Sequence, residues 1–213
     1  MKKSQNRYLF KKRLEILNFA KSIISKKGLN SDLFKNISTQ YKLKQNEIEL
    51  LFPEGNNDLV QFAIEQLNIE LEDYCKNMNL IRLPVHKRIR KVLLSKIFLM
   101  NKEKTFYKNL FLNLLIPKKN FSLPSQIYRS VDQIWFISGD TSVDFNFYTK
   151  RLILSAIYSR ILLFFFNNDN QEDLEVLLDE NLKRVAKIPK LKSKLSVFKD
   201  YFPKIIKFVR NSS

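Results

Sequence analysis

Apolar side chains recur along this 213-residue chain at steps of three and four, the spacing that lines one face of a helix. Phe10, Leu14, Leu17 and Ile24 predict a first helix over 7–27, with Gly28 as its stop. Ser31 caps a short second helix through Gln40, and Gln45 to Phe52 forms a third before the turn Pro53-Glu-Gly-Asn56. A longer helix then runs to about Asn77, Pro84 opens another through Met100, and a further one reaches Leu115 before Pro117 breaks the pattern. Helices over 123–137, 142–166 and 172–187 follow, and a basic segment runs on to Arg210. With 3 Gly and 6 Pro, the chain lacks the frequent turns that many short strands need, so the fold class is all-α. The length suits one buried core, hence a single domain.

Two stretches depart from simple amphipathicity. Leu152 to Phe166 is apolar almost all round, which a helix tolerates only when neighbours or lipid surround it. It is short for a bilayer and Arg160 interrupts it, so a central buried helix is expected, its Phe164, Phe165 and Phe166 being either core or the lining of an apolar cavity. In the segment 190–210, Leu191, Leu195, Phe198, Phe202, Ile205 and Val209 form one apolar stripe. Lys194, Lys199 and five further basic residues occupy its other faces, and Pro203 interrupts it. Such a helix suits the headgroup region of an anionic bilayer, or equally a surface of its own protein.

Charge sharpens the functional question. The net charge of +17, from 38 basic and 21 acidic residues, raises nucleic acid and anionic membrane alike, although abundant Lys, Asn, Ile and Phe also mark genomes rich in A and T. The helices over 31–52 have helix-turn-helix proportions, but the one that would enter a groove carries Glu47 and Glu49 and is followed by Glu54. Carboxylates facing phosphates are repelled, so DNA is disfavoured, with Lys42 and Lys44 leaving some basic character beside them. One His, His86, and one Cys, Cys75, supply no metal set, no catalytic triad and no disulfide; a Gly-rich phosphate loop is equally absent. No catalytic residue, metal or cofactor is expected. No signal peptide is recognisable, and a cytoplasmic compartment fits the cysteine usage.

The stretch Ile137 to Arg151, ISGDTSVDFNFYTKR, carries the most unusual composition. Thr141 to Asp144 matches a capping box, with Gly139 and Asp140 as the turn before it. Trp135, Phe147 and Tyr148 are large aromatics near a turn, either core or anchors for a partner. The longer run Ser130 to Ser159 resembles the signature of the Coq-nine family of ubiquinone-biosynthesis accessory proteins. Asp132, Trp135, Gly139, Asp140, Ser142, Asp144, Phe145, Asn146, Tyr148, Thr149 and Arg151 agree with its pattern. Phe147 stands where the family usually has Trp, and Ile134 where it usually has Met. Weaker similarity reaches back to Leu112 and forward to about Ile188.

The resemblance implies a TetR-like helical bundle: an amino-terminal helix-turn-helix that no longer binds DNA (1–80), a lipid-binding and partner-docking part (81–189), and a basic amphipathic tail helix (190–213). It implies a protein without catalysis that binds an isoprenoid quinone intermediate or a phospholipid and presents it to the demethoxyubiquinone hydroxylase, as a homodimer at an anionic membrane. That surface would be the inner face of a bacterial membrane. The docking patch falls on Ile134, Trp135, Asp144, Asn146, Phe147 and Tyr148, and the lipid-binding residues on Ile157, Ile161, Phe164, Phe165 and Phe166. Membrane contact falls on Leu195, Phe198, Phe202, Ile205, Lys194 and Lys199. The alternative is a TetR-type transcriptional regulator.

Overall fold

The computed structural model describes residues 2–115, 122–140 and 145–186; the tail residues 190–213, the capping-box stretch 141–144 and the six tail positions named above lie outside them. The described residues form nine helices and no strand: α1 (Lys2–Lys27), α2 (Leu33–Tyr41), α3 (Gln45–Leu51), α4 (Asn56–Lys76), α5 (Val85–Asn101), α6 (Lys104–Leu115), α7 (Ser122–Ile137), α8 (Phe145–Asn167) and α9 (Gln171–Ala186). The all-α expectation holds, and most boundaries fall within a few residues of the punctuation that marked them. The chain divides into two compact units, 1–70 with 98–117 and 71–97 with 118–213.

In the first unit, α1 packs on α2, α3 and α6. Its buried line is Ile16, Leu17, Ala20 and Ile24, one face at three- and four-residue steps. Gly28 ends the helix at φ +67°, a left-handed conformation that a Cβ would strain. Side chains then fix the α1–α6 pairing: Asn109 Nδ2 donates to the Ile24 carbonyl at 2.7 Å, and Lys21 meets Glu103 at 2.7 Å. The Arg13 guanidinium lies 5.1 Å from the Phe52 ring and 4.3 Å from Phe62, filling a gap between aromatics with its flat cationic face.

The start of α2 corrects one expectation. Asp32, not Ser31, is the N-cap, and it makes no side-chain cap bond; Asn30 Oδ1 instead accepts from the Asp32 amide at 3.0 Å. An Asx turn thus replaces the expected serine cap. At the other end Lys42 adopts φ 51°, and Ser38 Oγ donates to the Leu43 carbonyl at 2.7 Å, closing the turn into α3. On α3, Ile48 and Leu51 are buried while Glu47, Glu49 and Leu50 face solvent.

In the second unit α8 packs against both α7 and α9. Leu154, Ile157, Tyr158, Ile161, Leu162 and Phe165 are buried, so the nearly uniform apolarity of this helix is explained by neighbours on two sides. α9 answers with Leu174, Leu178 and Asn181 at steps of four and three. α5 is tied to α9 by Arg90, whose Nε donates to Asp179 at 2.5 Å and whose Nη2 meets Glu175 at 3.0 Å. The Gln171 amide first, and then Arg90, hold the Glu175 carboxyl below its usual range. Among the described residues no helix is long and apolar enough to cross a membrane.

Candidate functional site

The stretch from Asp132 to Arg151 is built around one buried cation. Arg151 is 4% exposed; its Nε donates to Asp132 Oδ1 at 2.5 Å and its Nη1 to Asp140 Oδ2 at 3.2 Å and to the Phe147 carbonyl at 3.2 Å. Lys150 reaches the other oxygen of Asp140 at 2.8 Å. A guanidinium with five donors is the side chain suited to join a helix, a turn and its own preceding turn at once. The result is an ionic clamp between α7 and α8, with Asp140 buried and satisfied from two sides. Burial makes the clamp sensitive to the loss of either partner, because the remaining charge is then left without its counterion.

The turn that carries Asp140 is set by backbone bonding. Asp140 N–H donates to the Trp135 carbonyl at 3.0 Å and Gly139 N–H to Phe136 at 2.9 Å, the bond pair of a Schellman ending, with Gly139 at φ +78°. Arg88 of α5 then covers the turn. Its Nη1 donates to the Ser138 carbonyl at 3.2 Å, while Nε and Nη2 donate to Leu83 and Ile81. A Cβ on Gly139 would come within 2.9 Å of that Nη1 and displace the guanidinium end, while the positive φ is what requires the glycine.

This geometry reassigns several expected docking residues. Ile134 is wholly buried and Trp135 is 8% exposed, because both lie on the α7 face turned toward the core with Val131 and Ile127. Ile134 therefore offers no surface to a partner. Trp135 is nearly covered, with the Lys150 ammonium 5.4 Å from its centroid. Phe147 is half-buried against the Arg151 guanidinium, 3.3 Å from its centroid, and stacks edge to face with Tyr148 at 5.1 Å. Among the described residues, Tyr148 is the expected docking residue that stays open to solvent, at 37%. Asp144 and the side chain of Asn146 lie outside the described residues.

Sequence patterning missed two exposed neighbours. Phe136, at 66% exposed, points outward one residue beyond Trp135, and Leu152, at 56%, follows Tyr148 by one helical turn. The signal that could have found Phe136 is its phase: on a helix with Ile127, Val131, Ile134 and Trp135 inward, position 136 falls on the opposite side. Tyr148, Leu152, Ala156 and Leu163 together form an apolar line on the outer side of α8.

The residues expected to bind lipid come together along α8. Ile157, Ile161, Phe165 and Phe166 are buried, Phe164 is half-buried, and the rings of Phe165 and Phe166 lie 5.2 Å apart. Their side chains are arranged as part of the unit's core. A shallow groove of about 400 Å³ is built from α1 and α2 alone, lined by Phe19, Ser22, Ile23, Lys26, Asn36 and Gln40 among others. His86 is exposed at the start of α5. Cys75 is buried, its thiol pushed up chiefly by that burial. Among the described residues no group of three His, Cys, Asp or Glu side chains is placed to hold a metal ion.

The stretch containing the clamp is also the part that known proteins share. The COQ9 family model matches residues 122–189. The mitochondrial ubiquinone biosynthesis protein COQ9-A of Xenopus laevis is 25% identical over 132 residues, covering 59% of this chain and 41% of that protein. The mitochondrial ubiquinone biosynthesis protein COQ9 of Homo sapiens is 39% identical over 62 residues, 29% of this chain and 19% of its own length, and the Rattus norvegicus protein of the same name is 37% identical over 62 residues. The chain thus spans about two fifths of the frog relative and about one fifth of the human and rat ones. The segment that is similar to the COQ9 family, residues 122–189, begins with α7 and takes in α8 and α9.

Proposed function

We propose that this chain serves ubiquinone biosynthesis as a lipid-binding accessory protein without catalysis of its own. In this reading it takes up an isoprenoid quinone intermediate and presents it to the demethoxyubiquinone hydroxylase at an anionic membrane, acting as a homodimer. The observation that carries the reading is the matched segment 122–189, which holds the clamp, the solvent-facing aromatics and the buried aromatic run of α8 together. A polyprenyl tail buries apolar area worth about 0.8 kcal/mol per CH₂ in the bilayer, so an enzyme at the surface gains access to the head group only when an apolar site offsets that cost. In this reading the buried Ile157, Ile161, Phe165 and Phe166 of α8 are the apolar side chains that receive the tail, and the stripe expected over 190–210 supplies membrane affinity.

The docking surface in this reading is Phe136, Tyr148 and Leu152, with the clamp beneath fixing how α7 and α8 present them. Charge introduced there, as Phe136→Asp or Tyr148→Asp, abolishes capture of the hydroxylase while leaving the helical signal unchanged. Undiminished capture by both variants refutes this surface. Organic extraction of the purified protein releases quinone or phospholipid, and a lipid-free extract speaks against the carrier role. A TetR-type regulator is the second reading; the exposed carboxylates of Glu47 and Glu49 on α3 count against it, and sequence-selective DNA binding at physiological salt is the result that would favour it.

A further inference from the structure

The turn between α4 and α5 holds an isoleucine out to solvent. Leu83 N–H donates to the Leu80 carbonyl at 2.9 Å, which makes Ile81 and Arg82 the two central residues of a β-turn. Such positions ordinarily go to proline, glycine or short polar side chains, yet Ile81 is 85% exposed, the most open large apolar residue among those described. The turn is anchored from below. Leu80 is buried, and Arg88 of α5 donates to the Ile81 carbonyl at 2.9 Å and to the Leu83 carbonyl at 2.7 Å. A tip already held in one conformation loses little freedom when something covers it.

One exposed apolar side chain needs no explanation by itself. Its surroundings supply a second signal, because between Asp73 and Glu103 the chain has no acidic residue. Some cations of that span are engaged: Lys76 pairs with Asp73, Arg88 with the turn carbonyls, and Arg90 with Glu175 and Asp179. Arg82, Lys87 and Lys91 are exposed and make no ion pair among the described residues. Lys87 and Lys91 stand one turn apart on the same side of α5, and Val85, 44% exposed, opens that helix. An apolar tip flanked by open cations is complementary to an anionic lipid surface, where hydrocarbon takes the side chain and phosphates take the charges. Nucleic acid would use the cations and gain nothing from Ile81.

We propose that the α4–α5 turn is a membrane contact in its own right, with Ile81 entering the interfacial layer of an anionic bilayer and Arg82, Lys87 and Lys91 meeting lipid phosphates. This contact rests on the membrane role proposed above and places it on a folded unit, apart from the segment 190–213. Arg88 also donates to the Ser138 carbonyl, so one guanidinium ties the turn to the end of α7, two residues beyond Phe136. An enzyme seated on Phe136 is thereby held beside the bilayer.

Full-length Ile81→Cys carrying an environment-sensitive nitrobenzoxadiazole label tests it, since Cys75 is buried and the introduced thiol is the reactive one. With vesicles of phosphatidylcholine and phosphatidylserine the label brightens and shifts to shorter wavelength, whereas the same label on Val176→Cys of α9 does not. In flotation with these vesicles Ile81→Asp weakens binding about tenfold and Arg82→Gln about fivefold, and the Arg82 effect vanishes on phosphatidylcholine alone. A chain that floats while the Ile81 label stays water-like, or a Val176 label that responds as strongly, overturns the turn's role and leaves the membrane role standing. So does flotation of both variants at the level of the unaltered chain. Failure of the unaltered chain to float with any vesicle overturns both. An Ile81 label that responds to duplex DNA and not to vesicles overturns the proposal in favour of nucleic acid. Far-ultraviolet circular dichroism of each variant separates lost binding from lost folding.

Discussion

Replacing Lys96 by Met removes a buried cation and stabilises the protein by an amount that depends on pH. Lys96 is wholly buried, and desolvation brings its pKa from 10.5 to about 7. The unfolded chain therefore binds more protons than the folded one between those values, and stability rises with pH across that window. Below pH 7 the folded state carries the full penalty. The gap corresponds to about 5 kcal/mol at pH 6, about 4 kcal/mol at pH 7.5 and about 2 kcal/mol at pH 9, at 1.36 kcal/mol per factor of ten in proton affinity. Methionine has a similar shape and no charge, so Lys96→Met recovers most of that amount at pH 6 and little above pH 10. Urea unfolding of both proteins at pH 6, 7.5 and 9 gives the difference directly, with all other titrating groups common to the pair. A difference that stays constant across the three pH values refutes the reasoning, since it would mean that the buried amine binds its proton as tightly as an exposed one.

Other consequences are testable separately. Gly139→Ala places a Cβ in a left-handed turn within 2.9 Å of the Arg88 guanidinium, and lowers stability by about 1–2 kcal/mol in thermal unfolding. Arg88→Met releases the same turn, and in the double variant the cost of Gly139→Ala shrinks because the steric part has gone. Asp140→Ala leaves buried Arg151 with Asp132 as its remaining carboxylate and costs about 3 kcal/mol, measured by urea unfolding; a loss below about 1 kcal/mol would mean that the clamp is solvated. Deleting 190–213 releases the protein from anionic liposomes in a flotation assay, and retention there moves the membrane contact elsewhere.

Helix positions were legible because the chain is punctuated where it must be. Gly28, Pro84 and Gly139 each stand at a boundary that the backbone enforces, by positive φ at the two glycines and by the missing amide at the proline. Depth was not legible. Periodicity tells which face of α5 turns inward but gives no reason for a lysine at position 96 to lie on it, and long side chains on that face are ordinarily expected to reach solvent. Long-range partners were equally hidden: Arg88 reaches Ser138 across fifty positions, and Arg90 reaches Asp179 across eighty-nine. The signature residues were correctly singled out, yet Asp132, Asp140 and Arg151 prove to act on each other. Ile134 and Trp135 were read as surface because their family positions implied docking, whereas the packing of α7 turns both inward and leaves Phe136 outside.

Trp135 is the chain's one tryptophan, and it sits in the unit formed by 71–97 with 118–213. Its fluorescence therefore reports on that unit, whereas helical ellipticity sums over both. During unfolding the two signals trace one curve if the units melt as a single cooperative block, and separate into two if they do not. A lone indole beside the Lys150 ammonium thus gives the chain an internal spectroscopic label for one half of its structure, available without any added dye or engineered site.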